Sequence, residues 1–204
     1  MCIGVDTSES HDALAEADAC SLAEVAIRQG FEPPTLLLGS AATRTRVRTQ
    51  LSQAAATCEP GDLFMLTFSG HGGEGGVWLL YDGSLRDAEM RAALAAFRPG
   101  VRVLVISDSC NGGVPAARPD TSLSEVGASV LVLAACSSDQ LADAPGTPTH
   151  FTTALLETWH RDSIVTYRGF YQMIAAGMPE HQQPNYFQVG LRDPQFESQP
   201  PFTI

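Results

Sequence analysis

The chain has 204 residues, with 12 basic against 23 acidic side chains and a formal net charge of −11. At 44% hydrophobic and 17% charged, with 18 Gly and 13 Pro, it has the length and apolar content of a single globular domain, residues 1–204, and is excluded from the disordered class. All 12 basic residues are Arg, scattered along the chain, so no basic stripe is available to a nucleic-acid backbone. No apolar run approaches the roughly 18–20 residues of a membrane helix. The start, Met1-Cys2-Ile3-Gly4-Val5-Asp6, reads as a strand without a basic leader. The expectation is a soluble, cytoplasmic protein with neither a nucleic-acid nor a membrane partner. Cysteines at 2, 20, 58, 110 and 136 are odd in number and form no CxxC pair. They read as reduced thiols, each a core filler or a nucleophile.

In chain order, a strand over 2–5 precedes a helix over 13–29, which carries Leu14, Leu22, Val25 and Ala26 on one side and stops at Gly30. A strand over 35–38 leads to a helix over 44–55 capped by Thr43, and a strand over 63–69 breaks into Gly70-His71-Gly72-Gly73. Ser84, with Asp87 three residues on, marks a helix over 85–97 closed by Pro99-Gly100. Strands over 101–107 and 129–135, helices over 152–159 and 167–176, and a strand over 186–189 complete the set. Such alternation predicts an α/β fold: a mostly parallel six-stranded sheet with helices on both faces. The runs starting at 35, 63, 101 and 129 are continuously apolar, as strands covered on both faces are, and are assigned to the sheet centre. The segments 70–76, 111–125 and 137–150 follow strands and are rich in small or turn-forming residues. They meet at the carboxyl edge, where open α/β sheets bind ligands.

Two strand ends carry the chemistry. One reads Leu66-Thr67-Phe68-Ser69-Gly70-His71-Gly72, the other Val105-Ile106-Ser107-Asp108-Ser109-Cys110-Asn111-Gly112-Gly113. Each apolar strand delivers one reactive side chain and then turns into glycines. If the strands are parallel neighbours, His71 and Cys110 face each other across the same edge. A thiol with its free pKa of about 8.5 is only a few per cent thiolate at neutral pH, so an adjacent imidazole is the usual activator. The backbone N–H of Gly72, uncovered by any side chain, and that of Cys110 can form a two-donor oxyanion hole. Taken alone, a strand-end Cys is a small buried hydrophobe and a Ser-Gly-His-Gly turn a tight loop; their joint placement favours a dyad.

Ser69-Gly70-His71-Gly72 and Asp108-Ser109-Cys110-Asn111-Gly112-Gly113, in that order, resemble the His and Cys motifs of the caspase-like cysteine peptidases, within them the metacaspase and prokaryotic-caspase branch. The resemblance extends to Ala17-Asp18-Ala19 with Gly30-Phe31, to Ala134-Ala135-Cys136-Ser137-Ser138-Asp139-Gln140 and to Phe151-Thr152-Thr153-Ala154-Leu155-Leu156. It implies the caspase-type three-layer sandwich and a cysteine endopeptidase with Cys110 as nucleophile, His71 as general base and acid, and Gly72 as oxyanion donor. The branch commonly has His or Gln and then Ser after the Cys, where this chain has Asn111 and Gly112, and Ala15 replaces its usual Cys upstream of the first-helix Asp.

The resemblance also implies an S1 pocket lined by Asp18, Ser69 and Asp108. Two carboxylates there would repel an acidic P1 side chain and accept a guanidinium, which predicts cleavage after Arg, or Lys, and not after Asp. It further implies a monomeric zymogen in a prokaryotic protease cascade, with 111–125 as the activation loop and an upstream protease as partner. Pro119 directly after Arg118 disfavours self-cleavage there. No cofactor is required for the chemistry; calcium activation is implied by the branch, with Glu74, Asp120, Asp139 and Asp143 as acids that could serve, though without EF-hand spacing. His150, His160 and His181 read as surface or loop residues, and Cys2, Cys20, Cys58 and Cys136 as core fillers. Two other classes stay open: a catalytically inactive caspase-like binding module, and a thiol enzyme of the reductase or phosphatase type. The Cys-x5-Arg loop of the phosphatases is absent, seven residues separating Cys110 from Arg118.

Overall fold

The computed structural model describes residues 1–6, 14–73, 77–109, 126–135, 149–159 and 166–204. Strand β1 (Cys2–Val5) leads to helix α1 (Leu14–Arg28), β2 (Leu36–Leu38), α2 (Arg44–Thr57) and β3 (Leu63–Gly70). Three short strands follow, β4 (Gly72–Gly73), β5 (Val77–Leu80) and β6 (Gly83–Leu85), then α3 (Asp87–Ala95), β7 (Arg102–Asp108) and β8 (Ser129–Ala134). Helices α4 (His150–Thr158) and α5 (Tyr167–Gly177), strand β9 (Asn185–Gly190) and helix α6 (Pro194–Ser198) complete the described elements.

The main sheet has six strands in the order β2-β1-β3-β7-β8-β9. All pairs are parallel except β8 with β9. Successive side chains of a strand point to opposite faces, and both faces here are covered, so nearly every position is apolar. Val103, Val105, Val130 and Val132 pack with Val47, Leu51, Met90 and Leu94 of α2 and α3. Leu104, Ile106, Leu131 and Leu133 pack on the other side with Leu22 of α1, Phe151 and Leu155 of α4, and Phe170 of α5. The expected α/β sandwich is thus present, with α1, α4 and α5 on one face and α2 and α3 on the other.

Two expectations need correction, and one small sheet was not expected. The strand at 35–38 is not central: β2 lies at the sheet edge with Leu36 42% exposed, and β1 takes the interior place. An apolar run of three residues marks burial of one side chain, Leu37, and not sheet position. The helix expected over 85–97 starts at Asp87; Ser84 and Leu85 belong to β6, where buried Leu85 pairs with Trp78 of β5. Burial of Leu85 overrides the local capping signal, and Glu89 Oε2 instead accepts the Arg86 N–H at 3.2 Å. The small antiparallel sheet β4-β5-β6 was not foreseen, because its strands are two to four residues long and too short to show a period. The Thr43 cap is as expected, its side chain accepting the Arg46 N–H, as is Gly30, with φ +87°.

Gly4 sets how closely α1 lies on the sheet. A Cβ there would come within 2.6 Å of Ala15 O and 2.7 Å of Glu16 Cα, backbone atoms that cannot swing aside. Gly4→Ala is therefore expected to push α1 outward and cost about 1–3 kcal/mol, read as a melting temperature lower by roughly 3–10 °C. A melting temperature unchanged within error would show that α1 adapts freely.

Candidate functional site

Strands β3 and β7 are parallel neighbours, and their ladder ends by pairing Ser69 with Asp108. His71 lies two residues beyond Ser69, exposed, between β3 and β4, and its carbonyl accepts the Leu79 N–H at 3.0 Å. The segment toward Cys110 leaves β7 at the same edge; Cys110 itself lies outside the described residues, as do Cys136 and His160. Gly72 is half-buried in β4, opposite Trp78. The ordering condition for a dyad, adjacent parallel strands with His71 and Cys110 each two positions past the last pair, is met by the register.

Strand parity separates two groups of side chains at this edge. Asp108 follows Leu104 and Ile106 on the face covered by α1 and α4, while Ser107 follows Val103 and Val105 on the opposite face. On that opposite face the buried Trp78 ring stacks on Phe68 at 4.5 Å between centroids and donates its indole N–H to Ser107 Oγ at 3.1 Å. Ser107 Oγ in turn lies 3.1 Å from Ser109 Oγ. Trp78 thus ties the His-bearing strand and the segment entering Cys110 together beneath the edge. Trp78→Phe retains the stack and loses the N–H; kcat of any reaction that relies on His71 and Cys110 should fall about tenfold or more through misplacement of the reacting groups, with KM within about twofold. An unchanged kcat would reduce Trp78 to a core residue.

On the α1 and α4 face the three side chains expected in one pocket do come together. Asp18, Ser69 and Asp108 are all buried, at 7%, 1% and 2% exposure. Asp18 sits on α1, held against the sheet by the Gly4 contact, and is not the solvated residue a helix Asp usually is. Thr149, which caps α4 by accepting the Thr152 N–H at 3.3 Å, joins the two acids. Its hydroxyl bonds Asp108 Oδ2 and lies 3.2 Å from Asp18 Oδ2. The Thr152 hydroxyl donates to the same Asp108 Oδ2 at 2.7 Å. Among the described residues, the buried Asp108 Oδ1 and Ser69 Oγ have no hydrogen-bond partner. Thr149 and Thr152 escaped the sequence reading, although Thr152 lies in a recognised segment; a Thr at the head of a helix signals a cap, and only the packing of α4 on the sheet turns it toward the acids.

Burial first, then the neighbouring Asp108 charge, push Asp18 from the ordinary 3.8 up to about 7, against the Thr149 hydrogen bond. Burial raises Asp108 as well, with Thr149 and Thr152 partly opposing. Folded Asp18 therefore binds its proton more tightly than unfolded Asp18 does. Its contribution to stability is complete below about pH 4 and is lost as pH rises through about 7. The slope reaches at most about 1.4 kcal/mol per pH unit for one group. Thermal unfolding followed from about pH 4 to 8 should show this decline, and Asp18→Asn should flatten it; an equal slope in the variant would refute the assignment.

Among the described residues, no group of three or more His, Cys, Asp and Glu could hold a metal ion. The four acids considered for calcium, Glu74, Asp120, Asp139 and Asp143, lie outside them. No helix among the described residues is long and apolar enough to cross a membrane. His150 and His181 are exposed, Cys2 is buried, and Cys20 and Cys58 are half-buried.

Comparison with known proteins bears on this arrangement. The family model described as the caspase domain matches residues 5–196. Protein GSU0716 of Geobacter sulfurreducens has a similar crystal structure, with 32% identity and a TM-score of 0.86 over 100% of this chain and 97% of that one. Caspase-1 of Spodoptera frugiperda shares the fold at 14% identity and a TM-score of 0.64, over 93% of this chain and 87% of that one. No curated protein matches the sequence.

Proposed function

This chain belongs to the caspase-domain family of peptidases, and from that premise we propose that it is a cysteine endopeptidase that cleaves after Arg, and more weakly after Lys, with Cys110 and His71 as its dyad. The observation that carries the specificity is the buried group of Asp18, Ser69 and Asp108, in which Asp108 Oδ1 and Ser69 Oγ have no hydrogen-bond partner among the described residues. Among the described residues neither acid has a cationic partner. Two carboxylates and an unpartnered hydroxyl form an acceptor-rich site. A guanidinium, with five N–H donors in a planar fork and a fixed positive charge, supplies what the site lacks; an Asp side chain would add a third carboxylate.

In this mechanism the Cys110 thiolate attacks the carbonyl carbon of the P1 residue, and the oxyanion is taken up by the backbone N–H groups of Gly72 and Cys110. His71, protonated on forming the thiolate, gives its proton to the leaving amine as the C–N bond breaks. It then takes a proton from water, whose oxygen attacks the thioester carbonyl, and the thiol is regenerated with release of the new carboxyl end. Regulation as a zymogen, through the 111–125 segment and an upstream protease, belongs to the same proposal, as does action as a monomer.

A panel of fluorogenic peptides differing only at P1, with the wild type and Cys110→Ala, with and without calcium, tests the proposal. Turnover of the Arg peptide by wild type alone is the expected result. Turnover of Asp peptides would overturn the pocket and leave the dyad; cleavage undiminished in Cys110→Ala would overturn the dyad.

A further inference from the structure

One hydroxyl at the head of α4 faces two buried carboxylates with a single hydrogen for both contacts, while the Thr149 backbone N–H also bonds Asp18. Thr149 Oγ1 has a single hydrogen, yet it is bonded to Asp108 Oδ2 and lies 3.2 Å from Asp18 Oδ2. It also accepts the Thr152 N–H. With its hydrogen given to Asp108, its contact with Asp18 is a hydrogen bond only if Asp18 carries a proton of its own and donates. Asp108 is the acid better placed to hold the charge, since its Oδ2 receives both the Thr149 and the Thr152 hydroxyls. The relay therefore runs from an Asp18 carboxylic acid, through Thr149, to an Asp108 carboxylate.

Resting on the reading of Asp18, Ser69 and Asp108 as the P1 pocket, we propose that Thr149 couples substrate recognition to proton release: its hydroxyl bridges a protonated Asp18 to an ionised Asp108 in the free enzyme, and an arriving P1 guanidinium expels that proton. The balance is simple. The carboxylic acid of Asp18 and the guanidinium cation give a carboxylate paired with the guanidinium, and one proton passes to the buffer. No bond other than O–H is broken. The cation offsets the cost of burying the Asp18 charge, the larger cause of its raised pKa, and the repulsion from Asp108, the smaller one.

Among the described residues, no cation faces either acid. Facing Asp18 are Asp108 from β7, Thr149 from α4 and Asp6 from the end of β1, the last held by the N–H groups of Ala15 and Glu16 at 3.0 and 3.1 Å. Facing Asp108 are Thr149 and Thr152, and Ser69 is its partner across the ladder. His150, next to Thr149, is exposed. The rise of Asp18 to about 7 has the sign and range this arrangement requires.

The test uses the Cys110→Ala protein, in which the bound peptide is not cleaved, and an N-acetylated tripeptide amide ending in Arg, with its citrulline counterpart as the neutral isostere. Calorimetry in buffers of different ionisation enthalpy counts the protons. Close to one proton should be released per Arg peptide at about pH 6 and close to none at about pH 8.5, and none with citrulline at either pH. Asp18→Asn, made in the same background, should bind the Arg peptide more weakly and without release. Thr149→Ser should behave as the parent, and Thr149→Val, which removes the donor to Asp108 and the acceptor of the Asp18 proton, should displace the midpoint of release by about one pH unit. No release at pH 6, the same release in Asp18→Asn, or an unmoved midpoint in a folded Thr149→Val overturns the proposal. Equal affinity for the Arg and citrulline peptides would instead strike the pocket reading itself, and this inference with it.

Discussion

Replacing Cys110 by Ala is expected to lower kcat for an Arg-P1 peptide by about 10³-fold or more, and replacing His71 by Ala by about 10²–10⁴-fold. The double variant should be scarcely worse than either single one. A nucleophile and its base act as a unit: removing the imidazole leaves the thiol mostly protonated and the leaving amine without an acid, so the loss of the sulfur then has little left to remove. Geometry supports placing the two residues in one unit, since each lies two positions past the Ser69 and Asp108 pair that ends the ladder between adjacent parallel strands. His71 is exposed and off the core, so His71→Ala should fold with an unchanged melting temperature. Steady-state rates with titration of the reactive thiol by iodoacetamide check both arms. Retention of cleavage by either variant at more than about a tenth of the wild-type rate would exclude this dyad.

Asp108→Asn should reduce kcat/KM for Arg substrates by about 2–5 kcal/mol of transition-state binding, or roughly 30- to 5,000-fold. Asn keeps the shape, and its carbonyl oxygen can still accept from Thr149 and Thr152, which bond one oxygen of Asp108. What it removes is the charge opposite a P1 guanidinium. Because burial alone makes the Asp108 carboxylate costly, the variant should be at least as stable as the wild type. The loss is then one of recognition, visible in the P1 panel, while labelling of Cys110 by a small neutral alkylating agent continues at the wild-type rate. Equal loss of Arg cleavage and of labelling would show that Asp108 supports the edge as a whole and does not select the substrate.

The fold was legible because its strands are long runs of branched apolar residues with helices between them, a pattern that burial on both faces forces on any sequence that forms this sheet. Where the signal was short it failed. Leu36–Leu38 looked as central as Val103 to Ile106, yet β2 is the edge, because three residues cannot report what lies on their outer side. Ser84 and Asp87 imitated a helix cap, but pairing of Leu85 with buried Trp78 drew that segment into a strand. The candidate site divides in the same way. His71, Ser69 and Asp108 stand at strand ends, where a change from apolar residues to reactive and glycine residues is visible along the chain. Asp18 looks like any helix carboxylate until α1 is set against β1, and Thr149 like an ordinary cap until α4 is set against β7.

By itself the amino-acid order determined the alternating architecture, the sheet edge at which the candidate residues stand and the residue types available there, because those follow from local periodicity and from what a strand end can present. Tertiary packing decided the rest. It took the missing Cβ of Gly4 to let α1 approach the sheet, and with it to bring Asp18, on a helix some ninety positions earlier in the chain than Asp108, to the same threonine hydroxyl. Two acids far apart in the chain become one acid pair only where low dielectric and short distance make their charges felt, and both of those are properties of the folded interior.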